Sequence, residues 1–318
     1  MQKIAVLTSG GDAPGMNAAV RACIRTGIRY GCEMFFIENG YRGLVDGIIY
    51  PVTRDSVKDI IGRGGTILKT SRLDSFVEKE IQLKAIAQLR ALNIEGLIVI
   101  GGDGTYKGAK ALQDLGFPCV GIPATIDNDI TSTDYTVGFD TCLNTICECV
   151  DKLRDTSTSH QRCSIIEVMG RNCGDLAVQS GVAEGVEMVL SQDHQLSEQQ
   201  IIDSLLRLKE SGKSHAIILV SENLLDIKEL ASIIQQKTGF ECKTEVLGRL
   251  QRGGKPSAFD RILASRFGNK ATHELFYNHS GIVVGLRFNQ VVCYTFKEAL
   301  SMQRERDVEY LKLLETLK

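Results

Sequence analysis

Short runs of apolar and β-branched residues recur along the chain, and nearly every one ends in a polar or glycine-rich loop before a helical pattern begins. They cover residues 3–7, 97–100, 119–122, 164–168 and 215–220. Each is almost continuously apolar, as expected for a strand covered by helices on both faces and so for parallel sheet. The alternation predicts an α/β fold with mainly parallel sheets. At 318 residues the chain is about twice a usual domain length, which favours two packed lobes. In open parallel sheets ligands bind beyond the carboxyl ends of the strands. The loops there read Thr8-Ser9-Gly10-Gly11-Asp12, Gly101-Gly102-Asp103-Gly104-Thr105, Pro123-Ala124-Thr125-Ile126-Asp127-Asn128-Asp129, Met169-Gly170-Arg171-Asn172 and Ser221-Glu222-Asn223. A last helical rhythm is expected over residues 307–318.

Charge removes several classes of function. Lys plus Arg total 37 against 39 Asp plus Glu, so no global positive field exists to hold nucleic acid or an anionic membrane. The apolar run from Ile4 to Leu7 is too short for a signal peptide, and no stretch approaches the roughly 20 residues of a membrane span. The expectation is a soluble cytoplasmic protein. Its ten cysteines show no C-x-x-C and no repeated spacing, which points to free thiols rather than a zinc or disulfide framework.

Gly10 to Gly15 form a glycine turn between a strand and a helical run, so backbone amides face whatever binds there. Met16 and Asn17 stand where a P-loop needs Lys and Ser/Thr, so the Walker A reading fails. In the second loop Asp103 needs a reason. A carboxylate about 4 Å from a phosphate charge is opposed by about 4 kcal/mol at an effective dielectric of about 20, so a cation must intervene. Magnesium held by one or two carboxylates and substrate phosphates suits that place. Gly102, Gly104 and Gly108 also mimic a dinucleotide fingerprint, but that motif lacks an internal acid. A dinucleotide-dependent oxidoreductase is therefore the competing enzyme class.

Asp127 and Asp129 follow another buried run. Asp127 is suited to accept a substrate hydroxyl proton during phosphoryl transfer, with Asp129 supporting the metal or the base; an Asx-rich turn is the structural alternative. Arg72, Arg162, Arg171 and Arg252 lie in or beside polar or glycine loops, where guanidinium forks suit phosphate. Arg21 and Arg25 are four apart on the first helix, a like-charge spacing that costs about 0.2–0.5 kcal/mol unless an anion or a partner acid covers it.

Gly101-Gly102-Asp103-Gly104-Thr105, then Pro123 to Asp129, Met169-Gly170-Arg171 and Gln251-Arg252-Gly253-Gly254 closely resemble the bacterial ATP-dependent 6-phosphofructokinase family. Leu7 to Ala19, Arg63-Gly64-Gly65-Thr66 and Ser159-His160-Gln161-Arg162 belong to the same pattern, so the likeness spans nearly the whole chain. The glycine loop alone looks similar in NAD kinases and diacylglycerol kinases; its order with the Asp-Asn-Asp loop is specific.

The resemblance implies two similar three-layer αβα lobes, residues 1–138 plus 251–301 for ATP and residues 139–250 plus 302–318 for fructose 6-phosphate. It implies transfer of the γ-phosphoryl group to the 1-hydroxyl, giving fructose 1,6-bisphosphate and ADP. Gly11, Arg72, Leu73, Gly102, Asp103, Gly104, Thr105 and Gly108 would hold the nucleotide, with Asp103 on magnesium. Thr125, Asp127, Asp129 and Arg171 would serve catalysis. Met169, Gly170, Glu222, Arg249 and Arg252 would bind the sugar phosphate, with Arg162 and Lys243 reaching it from a neighbouring subunit of a homotetramer. A regulatory site for ADP or phosphoenolpyruvate would use Arg21, Arg25, Arg54, Arg154, Gly185, Glu187, Lys213 and His215.

Departures from the pattern matter. Lys243 and Arg249 stand where arginine and histidine are usual, Ala124 replaces glycine, and Ser211 and Asp55 replace a lysine and a tyrosine of the effector region. Gly104 and Ala124 favour ATP over pyrophosphate, whose users typically pair aspartate and lysine there. A pyrophosphate-dependent or other sugar-phosphate kinase and a non-catalytic effector-binding paralogue are the alternatives.

Overall fold

The computed structural model describes residues 1–303 and 308–317. In chain order the elements are β1 (Lys3–Thr8), α1 (Met16–Arg29), β2 (Glu33–Ile37), α2 (Gly40–Asp46), β3 (Ile49–Val52), α3 (Lys79–Ala91), β4 (Gly96–Gly101), α4 (Asp103–Asp114), β5 (Cys119–Pro123) and α5 (Phe139–His160). Then follow β6 (Arg162–Val168), α6 (Asp175–Glu184), β7 (Met188–Leu190), α7 (Glu198–Glu210), β8 (Ala216–Ser221), α8 (Ile227–Thr238), β9 (Glu241–Val246), α9 (Ala258–Phe276), β10 (Ile282–Arg287), β11 (Gln290–Thr295), α10 (Phe296–Ser301) and α11 (Val308–Thr316). Of the terminal stretch expected to be helical, Asp307 and Lys318 lie outside the described residues.

The chain divides into two compact units. The first comprises Met1–Ile126, Ile130–Thr141 and the chain from Arg252 through α10; the second comprises Asp127–Asp129, Cys142–Gln251 and α11. In the first, seven strands run in the order β11-β10-β5-β4-β1-β2-β3. Its inner pairings are parallel, while β3 and β11 add antiparallel edges. Strands β1, β4 and β5 are buried on both faces, which explains their continuous apolar runs. On one face their side chains join those of α2, α3, α4 and α10 in a single core that includes Leu7, Leu44, Ile86, Val99, Leu112 and Phe296.

In the second unit four parallel strands lie in the order β7-β8-β6-β9. Ile165, Leu190, Ile218 and Val220 pack with Ile201, Leu205, Ile227 and Ile234 of α7 and α8. Their neighbours Ile166, Val189, Ile217 and Leu219 point the opposite way and are also buried. Both faces of β6, β7 and β8 are therefore covered, while β9 keeps one face solvated. Helix α7 starts in a Ser197/Gln200 capping box and α8 at Asp226, whose carboxylate accepts from Lys228 and Glu229.

Asp260 on α9 anchors the segment that leads into α5. Its Oδ1 accepts from the Gly138 amide at 2.8 Å, and its Oδ2 accepts from the amide and hydroxyl of Thr141 at 2.8 and 2.5 Å. Burial pushes its carboxyl up to about 6 against the pull of these hydrogen bonds. The folded protein then holds this proton more tightly than the unfolded chain, so the contribution is full below about pH 4 and fades as pH rises through about 6. We predict that the Tm advantage of wild type over Asp260→Asn is largest below about pH 4 and shrinks by about pH 7.5. By linkage, a shift of about two units is worth about 3 kcal/mol.

Candidate active site

In the first unit the carboxyl ends of β1, β4 and β5 bring together the loops predicted to hold phosphate. A β-carbon on Gly10 would stand 3.4 Å from Oγ1 of Thr105 and 3.9 Å from the Gly102 nitrogen, and one on Gly102 would stand 3.9 Å from Cβ of Thr125. The Arg252 guanidinium lies over the first loop. A β-carbon on Gly11 would come within 2.3 Å of its Nη1, so this position has no room for a side chain while Arg252 lies there. Helix α4 begins at Asp103 behind Gly102, which has no side chain to cap the first-turn amides. Asp103 pairs with Lys107 at 2.6 Å, and open space lies over Gly104.

Two residues that sequence reasoning missed shape this end of the unit. Asn17, fully buried in the first turn of α1, donates to the carbonyls of Arg63, Gly64 and Gly65 and accepts from the Ile67 amide at 2.8 Å. With Asp12, which accepts from the Thr66 amide, it ties the segment leading to Arg72 and Leu73 to the first glycine loop. A polar residue among the apolar ones of α1 was its sequence signal. Tyr41 donates to the Thr105 carbonyl at 2.6 Å, and its ring lies 2.6 Å from where a β-carbon on Gly108 would be. Packing alone therefore accounts for glycine at position 108. Arg72 is exposed, and Leu73 rests against the core. Thr125 is held through its backbone, its amide donating to Val137 and its carbonyl accepting from the Thr136 hydroxyl.

In the second unit Asp127, Asn128 and Asp129 group with the loops after β6 and β8. Asp127 is 7% exposed. Asn128 adopts a left-handed backbone and donates through Nδ2 to Asp175 at 2.9 Å. Arg171, also left-handed, lies 3.5 Å from Asp129 through Nη1 and donates its amide to Glu222 at 2.7 Å. Gln192, unmarked in the sequence, donates to the carbonyls of both Arg171 and Glu222. The Met169 amide donates to Gln251 at 3.1 Å, and Gly170 precedes Arg171 at φ 136°. Burial, then Glu222 and Asp226, push the Glu167 carboxyl up. Arg162 and Lys243 converge on one acid, Glu241, at 2.9 and 3.1 Å. Arg249 is exposed on a tight turn, Gly248–Arg252.

The candidate effector residues fall in both units. Arg21, Arg25 and Arg54 lie in the first, where burial and then the two other guanidinium groups push Arg21 down. In the second, Arg154 donates to the Glu184 carbonyl at 2.6 Å beside Gly185, while Glu187 pairs with Lys213 and accepts from the Ile217 amide. His215 is half-buried just before β8.

Parallel sheets with glycine loops, acids and arginines at their strand ends define an α/β protein of the kind that handles phosphorylated ligands. The sequence pattern of the phosphofructokinase family matches residues 3–275. The chain belongs to that family. It is 49% identical over 318 residues to an ATP-dependent 6-phosphofructokinase of Vibrio cholerae, covering 100% of this chain and 99% of that protein. It is 49% identical over 317 residues, with the same coverage, to one of Clostridium tetani. The phosphofructokinase structure from Saccharomyces cerevisiae superposes with a TM-score of 0.92 at 31% identity, covering 100% of this chain and 50% of that one. A pyrophosphate-dependent phosphofructokinase from Marinobacter aquaeolei, 19% identical, shares the fold with a TM-score of 0.88 over 100% of this chain and 91% of that one. Among the described residues no helix is long and apolar enough to cross a membrane.

Asn17→Ala strands the buried groups that Asn17 now satisfies. We expect a loss on the order of 3 kcal/mol, read by thermal unfolding, together with faster proteolytic cutting between residues 60 and 72.

Proposed function

We propose that the chain transfers the γ-phosphoryl group of ATP to the 1-hydroxyl of fructose 6-phosphate, releasing fructose 1,6-bisphosphate and ADP. The observation that carries this reading is 49% identity, over the full chain, to proteins named for that reaction. The first unit takes the nucleotide on the loops of Gly11 and Gly102 to Thr105, with Arg72, Leu73 and Gly108 beside them. Open space over Gly104 leaves room for a triphosphate tail, and Ala124 adds no cation of the kind that pyrophosphate users place there. The second unit takes the sugar phosphate through Met169, Gly170, Glu222 and Arg249, and Arg252 of the first unit is a further candidate for that ligand. Arg162 and Lys243 reach the site of a neighbouring subunit in a homotetramer.

Asp127 accepts the proton of the 1-hydroxyl as its oxygen attacks phosphorus, and its burial limits competition from water. Thr125, one residue removed along the chain, orients the transferred group. Arg171 offsets the charge that spreads over the phosphoryl oxygens; its left-handed backbone, the bond to Glu222 and the Asp129 carboxylate fix where its guanidinium begins. Asp103, at an uncapped helix start, fits magnesium held by one carboxylate together with phosphate oxygens and water. When bound, that ion would neutralise the β- and γ-phosphate oxygens. The candidate residues for ADP or phosphoenolpyruvate are Arg21, Arg25 and Arg54 in the first unit and Arg154, Gly185, Glu187, Lys213 and His215 in the second, and the protein works in the cytoplasm.

A coupled assay with fructose 6-phosphate, comparing ATP with pyrophosphate, tests the reading. ATP is expected to support turnover and pyrophosphate not. Asp127→Ser is expected to lower kcat by about 10²–10⁴-fold, and parental turnover in that variant would remove the base from Asp127. Arg249→Ala is expected to raise KM for fructose 6-phosphate by about tenfold, the loss of one charge-assisted contact. No turnover of fructose 6-phosphate with either donor, while ADP still binds, would favour a non-catalytic effector-binding protein.

A further inference from the structure

Ten free cysteines are scattered along this chain, and the fold sets two of them side by side. Strands β6 and β9 pair in parallel with Cys163 opposite Cys242, between the rungs Arg162 with Glu241 and Ser164 with Lys243. Neighbouring strands run about 4.8 Å apart, inside the Cα separation of roughly 4.4–6.8 Å that a disulfide requires. Residues in register on parallel strands share a face, and both thiols point to the core that α7 and α8 cover. Cys163 is fully buried, whereas Cys242 is partly exposed on the strand at the edge of the sheet.

We propose that Cys163 and Cys242 form a reversible disulfide when the protein meets a peroxide, and that this bridge weakens sugar-phosphate binding through Arg162 and Lys243. The neighbouring sulfur pushes the Cys163 thiol up and the Cys242 thiol down, while the Cys242 Sγ also lies 3.6 Å from the Phe240 carbonyl. By contrast, burial pushes Cys23, Cys147, Cys149 and Cys293 up. Cys242, the partly exposed thiol on the edge strand, is the one a peroxide can reach and is therefore the nucleophile, and buried Cys163 resolves. The Cys242 thiolate attacks one peroxide oxygen; the O–O bond breaks, hydroxide leaves, and a sulfenic acid forms. The Cys163 sulfur then attacks the Cys242 sulfur, the S–O bond breaks and a second hydroxide leaves. The two thiol protons convert both hydroxides to water, so two thiols are oxidised by two electrons while one peroxide becomes two waters.

Coupling to binding follows from the rung on either side. Disulfide β-carbons lie about 3.8 Å apart, so closing the bridge draws β9 toward β6 by about 1 Å. Arg162 and Lys243 project from the other face of these rungs and share Glu241. Moving the strands shifts both cations together. This half of the inference rests on their proposed role with the sugar phosphate.

The test treats the assembled, reduced protein with a small excess of hydrogen peroxide and maps its peptides without reductant. The expected result is a peptide around Cys163 linked to one around Cys242, the loss of two titratable thiols, and recovery of both with dithiothreitol. KM for fructose 6-phosphate should rise about three- to tenfold on oxidation and return on reduction, while Cys242→Ser keeps its KM under peroxide. In Cys163→Ala, dimedone should trap a sulfenic acid at Cys242. Oxidation that leaves 163 and 242 unlinked, or that carries Cys242 directly to sulfinic acid in the wild type, overturns the pair. A link formed with KM unchanged overturns its coupling to the sugar site. Inactivity of the reduced protein toward fructose 6-phosphate would refute the proposed reaction without touching the thiol chemistry.

Discussion

A strand buried on both faces cannot carry a charge along its length without stranding it in a low dielectric, so charged groups collect where such strands end. Strands β1, β4 and β5 in one unit and β8 in the other are almost wholly buried, and β6 keeps its two charged residues, Arg162 and Glu167, near its ends and only half-buried. The acids and arginines of both candidate sites stand just beyond them, at Asp12, Asp103, Arg171 and Glu222. Position alone does not make a ligand site, because α8 also follows a strand and closes its own start with the Asp226 carboxylate. Helix α4 begins behind Gly102 instead, and its first-turn amides have no side chain of the preceding residue to satisfy them.

Backbone strain follows the same geography. Asn128 and Arg171 hold left-handed conformations, which cost on the order of 1 kcal/mol or more for residues with a β-carbon and persist only where neighbours enforce them. Both ends of Arg171 are clamped: its amide donates to Glu222, and its carbonyl accepts from Gln192. Asn128 is held by Asp175 at the start of α6. The guanidinium of Arg171 thus starts from a fixed backbone, which lowers the freedom a phosphoryl group would otherwise have to restrain.

The inner strands β1, β4, β5, β6 and β8 were legible because burial on two faces removes polar residues from most of their length, whereas the inner strands β2 and β10 were not read. Strand β9, Glu241-Cys242-Lys243-Thr244-Glu245-Val246, was not, since an edge strand with one solvated face keeps its charges and loses the apolar run. Strand β7 is three residues long, too short for any period to register. The two strands of the β10 and β11 hairpin turn at Phe288 and Asn289, both at positive φ, a signal that an Asn without glycine conveys weakly. The glycine loops of the site were legible because their chemistry is local. Asn17 and Tyr41 were not, because their partners lie 47 and 64 residues away and come into reach through the sheet alone. The same holds for Cys163 and Cys242, which no spacing rule connects and one strand pairing does.

Charges at these sites already have counter-ions from the chain itself. Lys107 neutralises Asp103, Glu241 offsets one of the two charges of Arg162 and Lys243, and Asp129 faces Arg171. Pairs with this much solvent exposure contribute about 0–1 kcal/mol each, so they keep the side chains extended and ordered yet yield readily to a better partner. On the proposed function, a divalent ion at Asp103 would displace one exposed ammonium. A phosphate dianion at Arg162 and Lys243 would replace a single carboxylate with two charges and would offer the guanidinium a fork-to-fork fit. The resident pairs spare the protein the larger cost of collecting bare like charges, a cost that adds to burial in pushing Arg21 down beside Arg25 and Arg54.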